Sequence, residues 1–327
     1  VLGSIGQCLS IAGIGLTALF LSGTRAGWAM LILIAIFSLA RGLSSVAAKD
    51  VLGKTVAKKK RGQLNGWSAS AAGLLTVGIG IVLMLPSAAG LDASALGMLL
   101  VAAGLLWLAA ALIYAQVPEF AGETSGGRNA LESIKRLNLL LTDKPFRRFV
   151  ITRALLMCSA LSAPFYIALA QQNYGSPAYL LGGFVAAAGL ASLVSAPIWG
   201  RYADVSSKRV MIVAALITSS AGIAVFLVNR MIPDLSATVW FLPLAYFVLS
   251  VAHSGVRVGR KTYVVNLATG NQRTDYVAIS NTTIGVLLLL VGSVGALSPV
   301  LGTAGVIGLL ALMGLAGAIL GSSLPDA

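Results

Sequence analysis

The chain has 327 residues, of which 57% are hydrophobic and only 10% charged, and its mean hydropathy is +0.91. A net charge of +13 would point to nucleic acid in a soluble protein. In a chain this apolar, the lysines and arginines read instead as loop residues that set orientation, so the expected partner is the lipid bilayer and not nucleic acid.

A helix needs about 20 mostly apolar residues to cross the hydrocarbon core. Ten such segments are predicted in chain order: 1–21, 27–48, 64–85, 95–115, 149–171, 178–199, 210–229, 237–257, 276–297 and 300–322. None alternates apolar and polar residues as barrel strands do. The predicted fold class is all-α, a polytopic membrane helical bundle. Val1–Leu21 has no basic flank before it, so it reads as a true span and not a signal peptide. Cys8 and Cys158 fall inside spans as small apolar fillers, and neither a disulfide nor a metal site is expected.

Polar residues inside a membrane are costly and mark candidate function. The second segment carries Ser38, Arg41 and Ser45 at helical spacing. The fifth carries Thr152, Ser159, Ser162 and Tyr166, and the eighth carries Tyr246, Ser250, His253 and Arg257. Each has a simpler alternative: a serine can bond its own backbone carbonyl, His253 can be a packing residue, and Arg257 can anchor an inner helix end. Arg41 is harder to dismiss, because it sits about thirteen residues into its span and cannot readily shed its proton. All ten acids lie near loops or span ends.

The longest connection, 116–148, divides the chain into an N-terminal half, 1–115, and a C-terminal half, 149–327. Within it, Leu131, Ile134 and Leu137 recur at helical spacing around Lys135 and Arg136 in the stretch Asn129–Leu141. A short helix on the inner membrane surface and a solvated linker fit this stretch equally well.

The basic residues fall in one alternate set of connections: Lys49–Arg61, Arg128–Arg148, Arg201–Arg209 and Arg257–Arg273. The other set holds only Arg25 and Arg230. The positive-inside rule makes the basic face cytoplasmic, with both ends of this chain on that side.

Arg41–Gly80 can be laid on Ser254–Gly292 at an offset of about 212, so that Arg61 meets Arg273, Gly73 meets Gly285 and Gly80 meets Gly292. The same offset carries the stretch "GRYADVSSKRV", Gly200–Val210, to a place about twelve residues before Val1. Two further spans and a charged loop are therefore expected ahead of this sequence, giving twelve spans as six and six.

At this point the chain resembles the major facilitator superfamily. That family's signature loop has the form G-x-x-x-D-(R/K)-x-G-(R/K)-(R/K), and Gly200, Asp204, Lys208 and Arg209 match it. Val205 replaces a usual basic residue and Ser207 a usual glycine. The resemblance implies that 1–115 holds family helices three to six and 149–327 helices seven to twelve. It implies a gating role for Gly200, Asp204, Lys208 and Arg209, with Asp204 at the N-terminus of the ninth span, near Asp275–Val277, holding the inner side shut. It also places the three polar stripes on helices four, seven and ten, which line the family's central cavity.

The sequence holds no acid pair, no Ser-His-Asp grouping and no phosphate loop, so an enzyme is not expected, nor a cofactor. The expected function is a secondary transporter moving a small solute by alternating access, with or without a coupling proton or ion. No carboxylate inside the spans is available to pair with Arg41. Water, backbone carbonyls, an acid in the expected preceding helices or an anionic substrate could compensate it, and an organic anion is favoured. The expected setting is a bacterial inner membrane and the expected state a monomer. The alternative is a non-transporting sensor or assembly factor of the same fold.

Overall fold

The computed structural model describes residues 1–85, 93–118, 136–175, 178–267 and 272–326. Among them all regular structure is helical: α1 (Leu2–Phe20), α2 (Gly23–Thr55), α3 (Arg61–Met84), α4 (Ala93–Ala115), α5 (Leu139–Thr142), α6 (Lys144–Leu155), α7 (Cys158–Leu161), α8 (Ala163–Tyr174), α9 (Ala178–Met231), α10 (Pro233–Ser236), α11 (Phe241–Leu267), α12 (Gln272–Val291) and α13 (Ser298–Ser322). The predicted surface-helix residues Leu131, Ile134 and Lys135 lie outside the described residues.

Eight stretches are long and apolar enough to cross a membrane, and two are far too long for one crossing: Tyr179–Met231 with 53 residues and Asp275–Ser322 with 48. At about 1.5 Å per residue each would exceed the roughly 30 Å core twice over. Both break. Helix α9 is two helices joined at Ser206, whose backbone is extended (φ −157°, ψ 99°). Beyond α12, a 3₁₀ turn (Gly292–Leu297) and a left-handed Gly302 (φ 72°) separate the last two crossings. A side chain at Gly302 would be strained by that φ. With these breaks the eight stretches among the described residues divide into ten helical segments, one for each segment that hydropathy predicts.

The chain forms two compact units, Val1–Thr55 with Ser87–Glu123, and Val56–Pro86 with Thr124–Ala327. In the first, α1 presents glycines to both neighbours. Gly6 faces Ala40 of α2, and Gly15 and Gly104 meet the backbones of α4 and α1. Lipid tails are as apolar as leucine, so close backbone approach and dispersion hold such helices together.

The second unit contains the longest such seam. Gly62, Gly66, Gly73 and Gly80 of α3 lie against Gly200, Ala196, Gly189 and the Gly182–Ala186 segment of α9, in antiparallel register. A Cβ at Gly73 would stand 2.6 Å from the Leu193 nitrogen, and one at Gly189 would stand 2.5 Å from the Val77 nitrogen. Two hydrogen bonds clasp the seam midway: Ser70 Oγ donates to the Leu193 carbonyl (2.6 Å) and Ser192 Oγ to the Ala69 carbonyl (3.1 Å). Beside it, Tyr166, Leu169, Phe184, Leu242, Leu249 and Ile307 form a buried core cluster.

Candidate functional site

The fifth predicted span is not one helix. Asp143 caps α6 by accepting from the Phe146 amide (3.0 Å), and Pro145 occupies its first turn. The helix ends at Leu155, and Pro164 opens α8 after the short α7. Proline lacks the N–H that would continue the ladder. The stripe serines serve the carbonyls around this break. Ser162 Oγ donates to Cys158 O (2.7 Å), which is the simple backbone alternative. Ser159 Oγ lies 3.1 Å from Leu156 O and 3.0 Å from His253 Nδ1. Its single proton can serve only one of them. When Leu156 takes it, Nδ1 of His253 carries the proton and Nε2 is left as an acceptor.

A cleft of about 250 Å³ opens in the second unit between α7, α8, α9 and α11. Five of the predicted residues line it: Ser159, Tyr246, Ser250, His253 and Arg257. Ser162 and Tyr166 do not. Tyr166 is fully buried, edge-on to Tyr246 at 6.2 Å between ring centroids, and its hydroxyl has no hydrogen-bond partner among the described residues. Sequence reasoning missed Ser254 and the α9 contribution, Ala188 and Ser192. Neither Ala188 nor Ser192 stands out from the apolar run 178–199.

It also missed Arg260. The eighth span was expected to end at 257, in a basic loop reaching Arg273, but α11 continues to Leu267. The run Tyr246, Ser250, His253, Arg257, Arg260 keeps one helical face throughout, so the charges extend the helix's inner stripe instead of ending the span. Arg153 of α6 is a further residue left unassigned. Its guanidinium donates to Ser280 Oγ (2.6 Å) and Asn281 Oδ1 (2.9 Å) of α12.

The stripe on α2 belongs to the first unit. Ser38 Oγ donates to its own helix at Ile34 O (2.8 Å), Arg41 is exposed, and Ser45 Oγ accepts from Lys49 Nζ (2.8 Å). A buried Gln7 on α1, not anticipated, donates to Gly3 O (3.1 Å) and Ser44 Oγ (2.9 Å).

The quoted loop stretch gives the sharpest polar contact. Asp204 Oδ1 accepts from the Gly62 amide (2.6 Å) and Oδ2 from the Gln63 amide (2.7 Å). These are free donors at the first turn of α3, where the helix dipole also favours an anion. The expectation that Asp204 meets the ninth span is therefore corrected: its partner is the start of the third. Gly200 supplies the room, since a Cβ there would stand 2.5 Å from Gly62 O. Lys208 lies 3.7 Å from an exposed Asp326, a weak surface pair. Arg209 is exposed, its amide donating to Ser206 Oγ (3.3 Å). Arg61 and Arg273, matched by the internal repeat, stand close enough for their charges to interact.

The family model described as Major Facilitator Superfamily matches residues 4–204. The chain belongs to the Major Facilitator Superfamily. Solved structures of this fold are similar over almost its whole length. The human organic anion transporter TETRAN superposes with a TM-score of 0.70 at 14% identity, covering 98% of this chain and 81% of its own. A variant of the E. coli fucose:proton symporter gives 0.65 at 14% identity, covering 99% and 84%. The proton:xylose symporter XylE, bound to 6-bromo-6-deoxy-D-glucose, gives 0.70 at 15% identity, covering 99% and 79%. No curated protein matches the chain. As a Major Facilitator Superfamily member, the chain is an integral membrane protein, and these solved relatives are transporters.

Proposed function

We propose that the protein is a secondary transporter that moves a small organic anion by alternating access. The observation that carries this reading is the cleft in which Ser159, Tyr246, Ser250, His253 and Arg257, drawn from two separate sequence segments, face one shared space. A scaffold would bury these polar stripes against one another, whereas here they line an open space. The cation of Arg257 in that cleft favours a negatively charged solute. The organic anion transporter among the similar structures points the same way.

Alternating access needs a contact that forms on one side of the membrane and releases for the other. Asp204 with the Gly62 and Gln63 amides serves as that latch on the basic, cytoplasmic face. Gly200 lets the helices approach closely enough for it to close. Lys208 and Arg209 fix the loop at the membrane surface. The protein works as a monomer in a bacterial inner membrane, with both ends of this chain cytoplasmic.

Counterflow in liposomes tests the reading. Vesicles holding the purified full chain and preloaded with an unlabelled organic anion should take up the labelled anion faster than protein-free vesicles. Exchange of organic cations alone, or no protein-dependent exchange of any solute, would contradict it.

A further inference from the structure

Three arginines converge in the second unit around the inner part of α11. Arg257 lines the cleft, and Arg260 stands one turn further along the same face. Arg260 is seven residues before the end of α11, about 10 Å along the axis. The charges of Arg257 and Arg260 act on one another, and Arg260 also acts on Arg153. His253 feels both Arg257 and Arg260.

No carboxylate lies within ion-pair distance of Arg153 or Arg260 among the described residues. Arg153 has neutral partners only, Ser280 and Asn281, and its Nε is enclosed with no hydrogen-bond partner among the described residues. Guanidinium groups do not shed their protons to escape such a setting. Like charges gathered in a medium of low dielectric repel strongly, and the arrangement persists only when something offsets it.

The cleft beside this cluster has mixed walls. Ser159, Ser192, Ser250, His253, Ser254 and Arg257 supply its polar lining, and Ala160, Ala163, Ala188 and Leu249 its apolar lining. A bare halide or phosphate would leave the apolar walls unused. A neutral sugar would leave the positive potential unmet.

We propose that this cleft binds a monocarboxylate with a small apolar body. The carboxylate sits against Arg257, Ser159 and His253, and the body lies against the alanines and Leu249. Arg153 and Arg260 stay behind the carboxylate as positioning residues that supply positive potential without touching it. The proposal rests on the transporter reading for its purpose but not for its test, which measures binding alone.

The test is isothermal titration of the purified full chain with benzoate, with its neutral isostere benzamide, and with chloride. Benzoate should bind, benzamide should bind about tenfold more weakly or not at all, and added chloride should displace benzoate poorly. Arg257→Gln should raise the benzoate Kd about tenfold or more, the effect of losing a charged hydrogen-bonding partner. Arg260→Gln should give a smaller loss, about fivefold, through the field alone. Arg260→Lys should restore affinity, which a purely structural role for the guanidinium would not allow. The benzoate–benzamide comparison needs no variant, so a misfolded mutant leaves the test intact.

Equal binding of benzoate and benzamide, or chloride competing as well as benzoate itself, overturns the proposal. So does benzoate affinity unchanged in both glutamine variants. Benzoate binding without exchange in liposomes would support this site and sink the transporter reading. Exchange of another organic anion with no benzoate binding would do the reverse.

Discussion

Asp204 shows how one carboxylate can serve a whole helix end. Its two oxygens satisfy two amides that α3 cannot satisfy itself. Asp204→Asn keeps the shape but leaves one oxygen for two donors and removes the charge. Hydrogen bonds to charged groups contribute about 1.5–3 kcal/mol, so the balance between inward-open and outward-open forms should shift about tenfold or more. Thiol labelling from the cytoplasmic side reads that shift, and unchanged labelling would leave Asp204 as a helix cap only. Arg41→Lys keeps the charge and loses the planar fork that grips a carboxylate. Anion counterflow should fall about tenfold if that fork holds the solute, by the same charged-bond magnitude. Undiminished counterflow would leave Arg41 without a part in anion transport.

At the scale of helices, the α3–α9 seam is a tight fit on one face and open on the other. Gly73→Val must push against the Leu193 backbone, whereas a Cβ at Gly78, five residues on and on another face, meets nothing within 4 Å. Overpacking costs about 1–3 kcal/mol. Gly73→Val should therefore lower the Tm of the purified protein, while Gly78→Val leaves it nearly unchanged. Equal effects would mean the seam does not hold the helices. The order of the long apolar helices was legible from hydropathy, because a span must be apolar over its full length. The extent of α11 was not. Hydropathy stops at Arg257, but the arginine side chains lie on the stripe that faces the protein, so the helix runs ten residues further, to Leu267. The break in the fifth span was written in Pro164, yet its consequence, that Ser159 turns towards His253, depends on a helix almost a hundred residues away. The partner of Asp204 was misread for a related reason: the resemblance in the signature stretch singles out Asp204 but not the helix end it meets.

Across the whole molecule, the division by repeat and the division by contact answer different questions. The repeat places α3 with the N-terminal half, and contact places it in one compact unit with α9. In the proposed cycle, α3 is the element both halves share at the latch, so movement there changes access to the cleft beside α9 and α11. Accessibility of the cleft tests that cycle most directly. A single thiol placed by Ser250→Cys, in a chain whose own Cys8 and Cys158 are buried, can be challenged with a membrane-impermeant maleimide from either side. The account predicts labelling from both sides, with the ratio between them changed by Asp204→Asn. A cleft that labels from neither side, or from one side at a rate Asp204→Asn does not alter, would contradict alternating access.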